Sequence, residues 1–227
     1  MSTISVVLPV RNGARWIGEA LTSVVGQTRP PDEIIVVDGQ SQDDSAAIAA
    51  RYPGVRVLRQ PDLGVGAGLS LGFAQATGDL VTIISCDDRW RPDKLALQSG
   101  YLASDPSLDV VFGHVCFFLD EADDPPASLR QELLCGSHPG HLLEIMMIRR
   151  ELALRVGPFR ADLAIATDVD WFARLAETGA RTAMPEAVMA DKRLHAGSNA
   201  ADTARNQAEL FTALRDAIGR RRSSAHG

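Results

Sequence analysis

Cysteine is scarce. Cys86, Cys116 and Cys135 are the three in 227 residues, and none lies close to another. An odd number without close pairs argues against a disulfide framework and suits free thiols in a reducing cytoplasm. Long apolar runs are missing too. No stretch approaches the roughly 18 apolar residues of a membrane span. The run from Ile4 to Val10 is too short and too near the start to be the core of a secretion signal. A cytoplasmic location is therefore expected, with attachment at the inner membrane face left open. Positive charge is in deficit: 23 Lys and Arg stand against 29 Asp and Glu, a formal net charge of -6. That balance argues against a general nucleic-acid binder, which needs a positive field to neutralise phosphates. A local basic site for a small phosphorylated ligand is still compatible with it. There is no internal repeat and no G-x-x-x-x-G-K-[ST] phosphate loop.

What is present is a core-forming chain, 45% hydrophobic and long enough for one large domain. Its first half alternates two periodicities. Ile4 to Val10 reads as a buried strand stopped by the turn Asn12-Gly13. Trp16, Ile17, Ala20, Leu21, Val24 and Val25 then recur at helical spacing. Ile34-Ile-Val-Val37 is a second strand, followed by a helix with Ser41 as its expected N-cap. Val55 to Leu58 is a third strand. The Gly-rich loop Gly64 to Gly68 leads into a helix, and Leu80-Val-Thr-Ile-Ile84 is a fourth strand. This order predicts a mostly parallel sheet with helices on both faces, whose ligand crevice lies beyond the carboxyl ends of the strands. Asn12, Asp38 and Asp87-Asp88 each follow a strand, so the order gathers them on one edge.

The second half is less regular. Helices are expected over 93–104 and 166–177, a long strand over 109–119 and another over 141–148. Residues 120–126 form an acidic, Pro-ended excursion. Leu210, Phe211, Leu214 and Ile218 share one face of a last helix, which is expected to pack on the body through them. The division expected is 1–105 for the first half, 106–200 for the second half of the same domain, and 201–227 for a C-terminal helix and tail.

Each polar candidate has an ordinary explanation beside the chemical one. Two adjacent carboxylates such as Asp87-Asp88 repel, and either solvent or a hard cation relieves them; alone, the pair would more often be a turn. Asp38 could accept hydrogen bonds from a ribose or base, or cap the next helix. Asp168 and Asp170, two apart on a helix, point to different sides, so one of them is expected to enter a cleft. A carboxylate there could be a general base or a cap. Arg193 and His195 could each reach a diphosphate. The loop Gly64-Val-Gly-Ala-Gly68 lacks the G-x-G-x-x-G spacing and follows the third strand, which argues against an NAD site. Cys135, His138 and His141 lack a fourth ligand, which argues against zinc.

Taken in order, these pieces resemble the inverting family 2 glycosyltransferases with the GT-A fold. The carriers are Ser5-Val-Val-Leu-Pro-Val-Arg-Asn12, Glu33-Ile-Ile-Val-Val-Asp38-Gly-Gln-Ser41, Gln60-Pro-Asp-Leu-Gly64, Ala76-Thr-Gly-Asp79 and Ser85-Cys-Asp-Asp88. Gly157-Pro-Phe159, Asp168, Arg174 to Gly179 and Arg193-Leu-His195 follow. The resemblance runs from about residue 4 to 199. It implies that Pro9, Arg11 and Asn12 line a nucleotide pocket, and that Asp38 contacts the base or ribose. Asp87 would face the ribose and diphosphate, and Asp88 would hold Mg²⁺ or Mn²⁺. Asp168 would be the catalytic base, with Arg193 and His195 beside the diphosphate. Arg11, Gly39, Ser70 and Ser85 depart from the commoner residues at their positions; the family often has a further acidic residue or Asn at 85.

The implied reaction moves a sugar, from a uridine or thymidine diphosphate donor, to an unidentified hydroxyl acceptor with inversion. The product would belong to a glycan or glycoconjugate. Two alternatives stand beside it: a nucleotide-binding or docking protein of the same fold without transfer activity, and, more weakly, a nucleotidyltransferase.

Overall fold

The computed structural model describes residues 2–120, 125, 129–195 and 203–224, and the side chains of all but 203–206 and 221–224 among them. The alternation read from the first half is realised. β1 (Ile4–Val10), β2 (Glu33–Asp38), β3 (Val55–Arg59) and β4 (Leu80–Ile83) pair in parallel, in the spatial order β3-β2-β1-β4. Side chains alternate along these strands because successive residues point to opposite faces. Ile4, Val6 and Leu8 pack with Ile17, Leu21 and Val24 of α1 (Ile17–Val25) on one face. Val7, Ile35 and Val37 pack with Leu69 and Phe73 of α3 (Val65–Gln75) on the other.

β9 (Met147–Arg149) runs antiparallel between β4 and β6 (Val110–Val111), and β10 (Thr182–Ala183) completes the seven-stranded sheet. A second, mixed sheet has the order β5-β11-β7-β8, from β5 (Arg89–Trp90), β11 (Val188–Arg193), β7 (Gly113–Phe118) and β8 (His138–Gly140). This is the mostly parallel sheet with helices on both faces that the sequence leads one to expect, joined by a smaller mixed sheet.

Four local expectations give way to packing. Ser41 caps no helix; α2 begins later (Ser45–Ala49), and the Ser41 hydroxyl instead accepts the Asn12 N–H at 2.9 Å. The Gly-rich segment is not a loop, since α3 starts at Val65; a Cβ at Gly72 would lie 2.3 Å from Val7 Cγ1, so its glycines let the helix lie close on the sheet. The long strand over 109–119 divides between the two sheets. Gln98 of α4 (Lys94–Ser104), fully buried, donates to the Val111 and Phe112 carbonyls at the break. The strand expected over 141–148 shortens to β9, preceded by a single 3₁₀ turn, Leu143–Ile145.

The last helix, α7 (Thr203–Ser224), packs on α6 (Thr167–Glu177), but not through the apolar face expected. Ala213 and Ala217 are the buried residues, whereas Phe211 is 73% and Ile218 53% exposed. Small side chains admit the close approach, and ion pairs of Arg160 with Asp216 at 2.7 Å and Arg220 with Glu177 at 3.1 Å flank it. No helix among the described residues is long and apolar enough to cross a membrane.

Candidate active site

The chain steps from β1 to β2 and β3 on one side, then returns to β4 on the other. The connections leaving β1 and β4 therefore diverge, which opens a crevice at their carboxyl ends. Pro9 and Arg11 stand at the end of β1, and Asn12 adopts a left-handed φ of 54° that Asn tolerates better than most residues. Asn12 Oδ1 accepts the Gln42 N–H at 2.9 Å, and Asp38, almost buried, accepts the Ser41 N–H at 3.2 Å. These bonds stitch the β1 and β2 loops together. A Cβ on Gly13 would lie 2.8 Å from Cys86 Sγ, so the β1 loop also touches the β4 loop beside Asp87. Asn12, Asp38 and Asp87-Asp88 thus share one edge. Burial and the Asp87 and Asp88 charges push the Cys86 thiol up to about 12, which leaves it an inert packing group.

The two carboxylates of the pair differ sharply. Asp88 is 1% exposed. Its Oδ1 accepts the Arg193 backbone N–H at 2.9 Å, and its Oδ2 the Lys192 ammonium at 3.1 Å. Lys192 Nζ also donates to Glu144 Oε1 at 2.8 Å, and Ser85 Oγ donates to the same oxygen at 2.8 Å. A carboxylate therefore stands beside position 85 after all, supplied by Glu144. Burial raises the Asp88 carboxyl to about 7, with Lys192 opposing and Glu144 and Asp87 adding to the rise. Burial alone would depress Lys192, but Asp88 and Glu144 hold it above the ordinary lysine range. Burial pushes Glu144 up most strongly, but the Lys192 charge and hydrogen bond, with those of the backbone and Ser85, together keep that carboxyl low.

Asp87 is 22% exposed, and its Oδ2 lies 3.0 Å from His195 Nε2. The imidazole rests on Trp16, ring centroids 4.5 Å apart. Arg193 is 2% exposed and committed elsewhere than to a diphosphate. Its guanidinium donates to the Asp87 carbonyl at 3.1 Å, to Asp120 and to Glu19, and stacks on Phe118. It clamps the backbone of the acidic pair rather than offering a surface to a ligand.

Asp168 and Asp170 part as helical spacing requires. Asp170 is fully buried and bonded to Arg174 at 2.9 Å and Arg220 at 3.3 Å, a structural hub. Asp168 lies in the first turn of α6, where its carboxyl feels the charges of Glu144 and Lys192 and so belongs to the same crevice. Burial is the main cause of its raised pKa, with Glu144 adding to it. The start of α6 is fixed from α7: Glu209 Oε2 accepts the N–H groups of Ala164, Ile165 and Ala166 at 2.8, 2.7 and 3.2 Å.

A divalent cation can be tested against these donors. No group of three His, Cys, Asp or Glu gathers as a ligand set among the described residues. Asp88, expected as the ligand, already has an amide on one oxygen and an ammonium on the other. Asp87 and His195 offer an oxygen and a nitrogen at a partly exposed edge, a donor pair that suits Mn²⁺ and leaves positions for phosphate oxygens. Asp87 and His195 are the side chains at that edge whose chemistry would suit a cation.

Glu144, Lys192, Glu19 and Trp16 escaped the sequence reading. Glu144 lies inside an apolar run and Lys192 beside an arginine, so neither carries a pattern of its own.

A family model described as Glycosyl transferase family 2 matches residues 5–162. The uncharacterized protein MT1568 of Mycobacterium tuberculosis (strain CDC 1551 / Oshkosh) is 34% identical over 196 residues, which cover 76% of this chain and 61% of its own length. The uncharacterized glycosyltransferase RT0329 of Rickettsia typhi is 26% identical over 231 residues, 93% of this chain and 70% of its own. Among solved structures, S. aureus TarS 1-349 in complex with UDP-GlcNAc superposes with a TM-score of 0.75 at 19% identity, over 95% of this chain and 65% of that one. The mannosyltransferase PcManGT from Pyrobaculum calidifontis, in complex with GDP-Man and Mn²⁺, gives 0.71 at 24% identity, over 96% and 64%. At these identities the two structures speak to the fold alone.

Proposed function

The chain belongs to glycosyl transferase family 2 and has its GT-A architecture, and we propose that it moves a sugar from a nucleotide-diphosphate donor to a hydroxyl acceptor with inversion. The observation that carries this reading is Asp168, a largely buried carboxylate at the start of α6, in the same crevice as the acidic pair after β4. A base there, with its pKa raised chiefly by burial, is suited to accept the acceptor's proton.

Asp38 and the stitched β1 and β2 loops provide a rim for the nucleoside. Asp38 has carboxylate capacity left for a ribose or base, beyond its bonds to Ser41. Pro9, Arg11 and Asn12 line the same rim. Asp87, Asp88, Glu144 and Asp168 outnumber Lys192 as charges in the crevice, so an accompanying cation would strengthen the hold on an entering diphosphate. Bound at Asp87 and His195, Mg²⁺ or Mn²⁺ would neutralise charge developing on the departing diphosphate. Arg193 fixes the Asp87 carbonyl, and Trp16 supports His195. Asp168, holding the acceptor hydroxyl from the face opposite the leaving group, takes its proton as the new bond forms.

The uridine-type donor is favoured by analogy with the UDP-GlcNAc complex of the TarS fold, and the GDP-Man complex of the other neighbour puts guanosine beside it. A glycan or glycoconjugate precursor is the kind of acceptor this reading implies. The test is incubation with uridine, thymidine and guanosine diphosphate sugars, with Mn²⁺ or Mg²⁺. Released nucleoside diphosphate and the anomeric configuration of the product are then measured. Inverted product supports the reading; retained configuration, or no turnover of any donor across a broad acceptor panel, counts against it.

A further inference from the structure

Lys94 and Lys192 are the only lysines among 23 Lys and Arg. Lys94 is fully buried, donates to Thr82 and Gln98 at 2.7 and 2.8 Å, and turns its remaining face to the Trp90 ring at 4.0 Å, so no ligand reaches it. Lys192 differs. Its ammonium has three N–H groups; one donates to Asp88 and one to Glu144, and no hydrogen-bond partner for the third stands among the described residues. The side chain is 26% exposed, so that donor has a route to a ligand.

The bracket around it is rigid on every side. Asp88 is pinned by the Arg193 amide, and the Glu144 carboxylate by Ser85. The Glu144 carbonyl accepts Trp90 Nε1 at 3.0 Å, and the next carbonyl, of Ile145, accepts Gln98 at 2.8 Å. Two anchored carboxylates hold one cation in place. Lys192 also lies within electrostatic reach of both Asp87 and Asp168. A fixed ammonium beside the acidic pair, with an open donor and a route to solvent, is what an anionic ligand would use there.

We propose that Lys192 is a diphosphate-binding residue of the donor site, donating its third N–H to a diphosphate oxygen, with Asp88 and Glu144 as the positioning residues that hold it. The inference rests on the nucleotide-sugar reading and adds to it a fixed cation that acts whether or not a divalent ion is bound. Part of the affinity for a nucleoside diphosphate therefore persists without metal, and that part depends on Lys192.

Isothermal titration of the full chain with UDP, GDP and the matching monophosphates, in Mn²⁺ and in EDTA, tests this. The variant is Lys192→Gln with Glu144→Gln, which removes one charge of each sign and keeps the local balance. It is expected to bind the diphosphate about 10- to 100-fold more weakly in EDTA, the loss of one charge-assisted hydrogen bond, with monophosphate affinity unchanged. Equal diphosphate affinity in the variant overturns the inference and leaves the nucleotide reading standing. Failure of the wild-type chain to bind either diphosphate removes the reading and the inference together. Should the variant not fold, ammonium-detected NMR of the ¹⁵N-lysine-labelled wild-type chain decides, since it holds only two lysines. The Lys192 signal should move with UDP or GDP and not with the monophosphate; a signal indifferent to the diphosphate refutes the contact.

Discussion

Asp87 Oδ2 and His195 Nε2 meet at 3.0 Å across 108 residues of chain, whereas each oxygen of the adjacent, buried Asp88 accepts a hydrogen bond from within the protein. The two neighbours thus differ in setting, Asp87 at a partly exposed edge and Asp88 braced inside the fold. Asp87→Asn and His195→Ala should each weaken Mn²⁺-supported UDP or GDP binding by about tenfold or more, as loss of one of few protein ligands does. Asp88→Ala should instead act on stability. It leaves Lys192 and the Arg193 amide short of a buried partner, at a cost on the order of 3–5 kcal/mol. Mn²⁺ titrations and denaturant unfolding of the three variants separate these effects. A normal unfolding curve for Asp88→Ala together with loss of the metal response would return the cation to Asp88.

The sequence made the parallel sheet legible because its signals are local. Ile4 to Val10 and Ile34 to Val37 are buried on both faces, and a continuous apolar run reports that directly. Asp38 and Asp87 were legible as neighbours at one sheet edge because strand order alone brings strand ends together. Glu144 and Lys192 were not, because their meaning lies in a contact between β11 and a 3₁₀ turn 48 residues away. The face of α7 was misread for a related reason. An apolar stripe of Leu210, Phe211, Leu214 and Ile218 predicts burial, but Ala213, Ala217 and the Arg160–Asp216 pair dictate which side meets α6. Periodicity records which residues could be buried, and tertiary contacts choose among them.

The raised pKa of Asp168 sets a pH signature. Burial disfavours its charged form, with Glu144 adding to the effect. The base works ionised, so kcat/KM should fall as pH drops through the raised value, and the acidic limb should lie above the ordinary Asp range near 3.9. The stability sign is opposite to that of a salt-bridged carboxylate. A folded pKa above the unfolded one means that the folded state binds the proton more tightly, so this group's ionisation subtracts from stability as pH rises through that interval. Asp168→Asn should accordingly lose about 10²- to 10⁴-fold in turnover while its Tm at neutral pH stays level or rises. A variant with normal turnover, or one that fails only because it unfolds, would dismiss Asp168 as the base.

Glu209 anchors the start of the helix that carries Asp168. Its carboxylate collects three successive backbone N–H groups, from Ala164, Ile165 and Ala166, just before α6 begins. The free N–H groups of a helix start and the helix dipole both favour a negative charge in this place. Asp168 sits two residues beyond Ala166, so the orientation of its carboxylate depends on where these amides are held. Nothing in this contact touches the nucleotide rim of Asn12 and Asp38. Glu209→Ala should therefore lower stability by about 1.5–3 kcal/mol, the worth of a hydrogen bond to a charged group, and should reduce kcat at saturating donor while leaving UDP or GDP affinity within about twofold. Glu209→Gln keeps an acceptor oxygen without the charge and should recover part of the turnover. Comparing kcat with nucleotide affinity by titration, at a temperature well below both midpoints, separates positioning from folding. A Glu209→Ala chain that is less stable yet turns over at the wild-type rate would reduce Glu209 to a helix anchor.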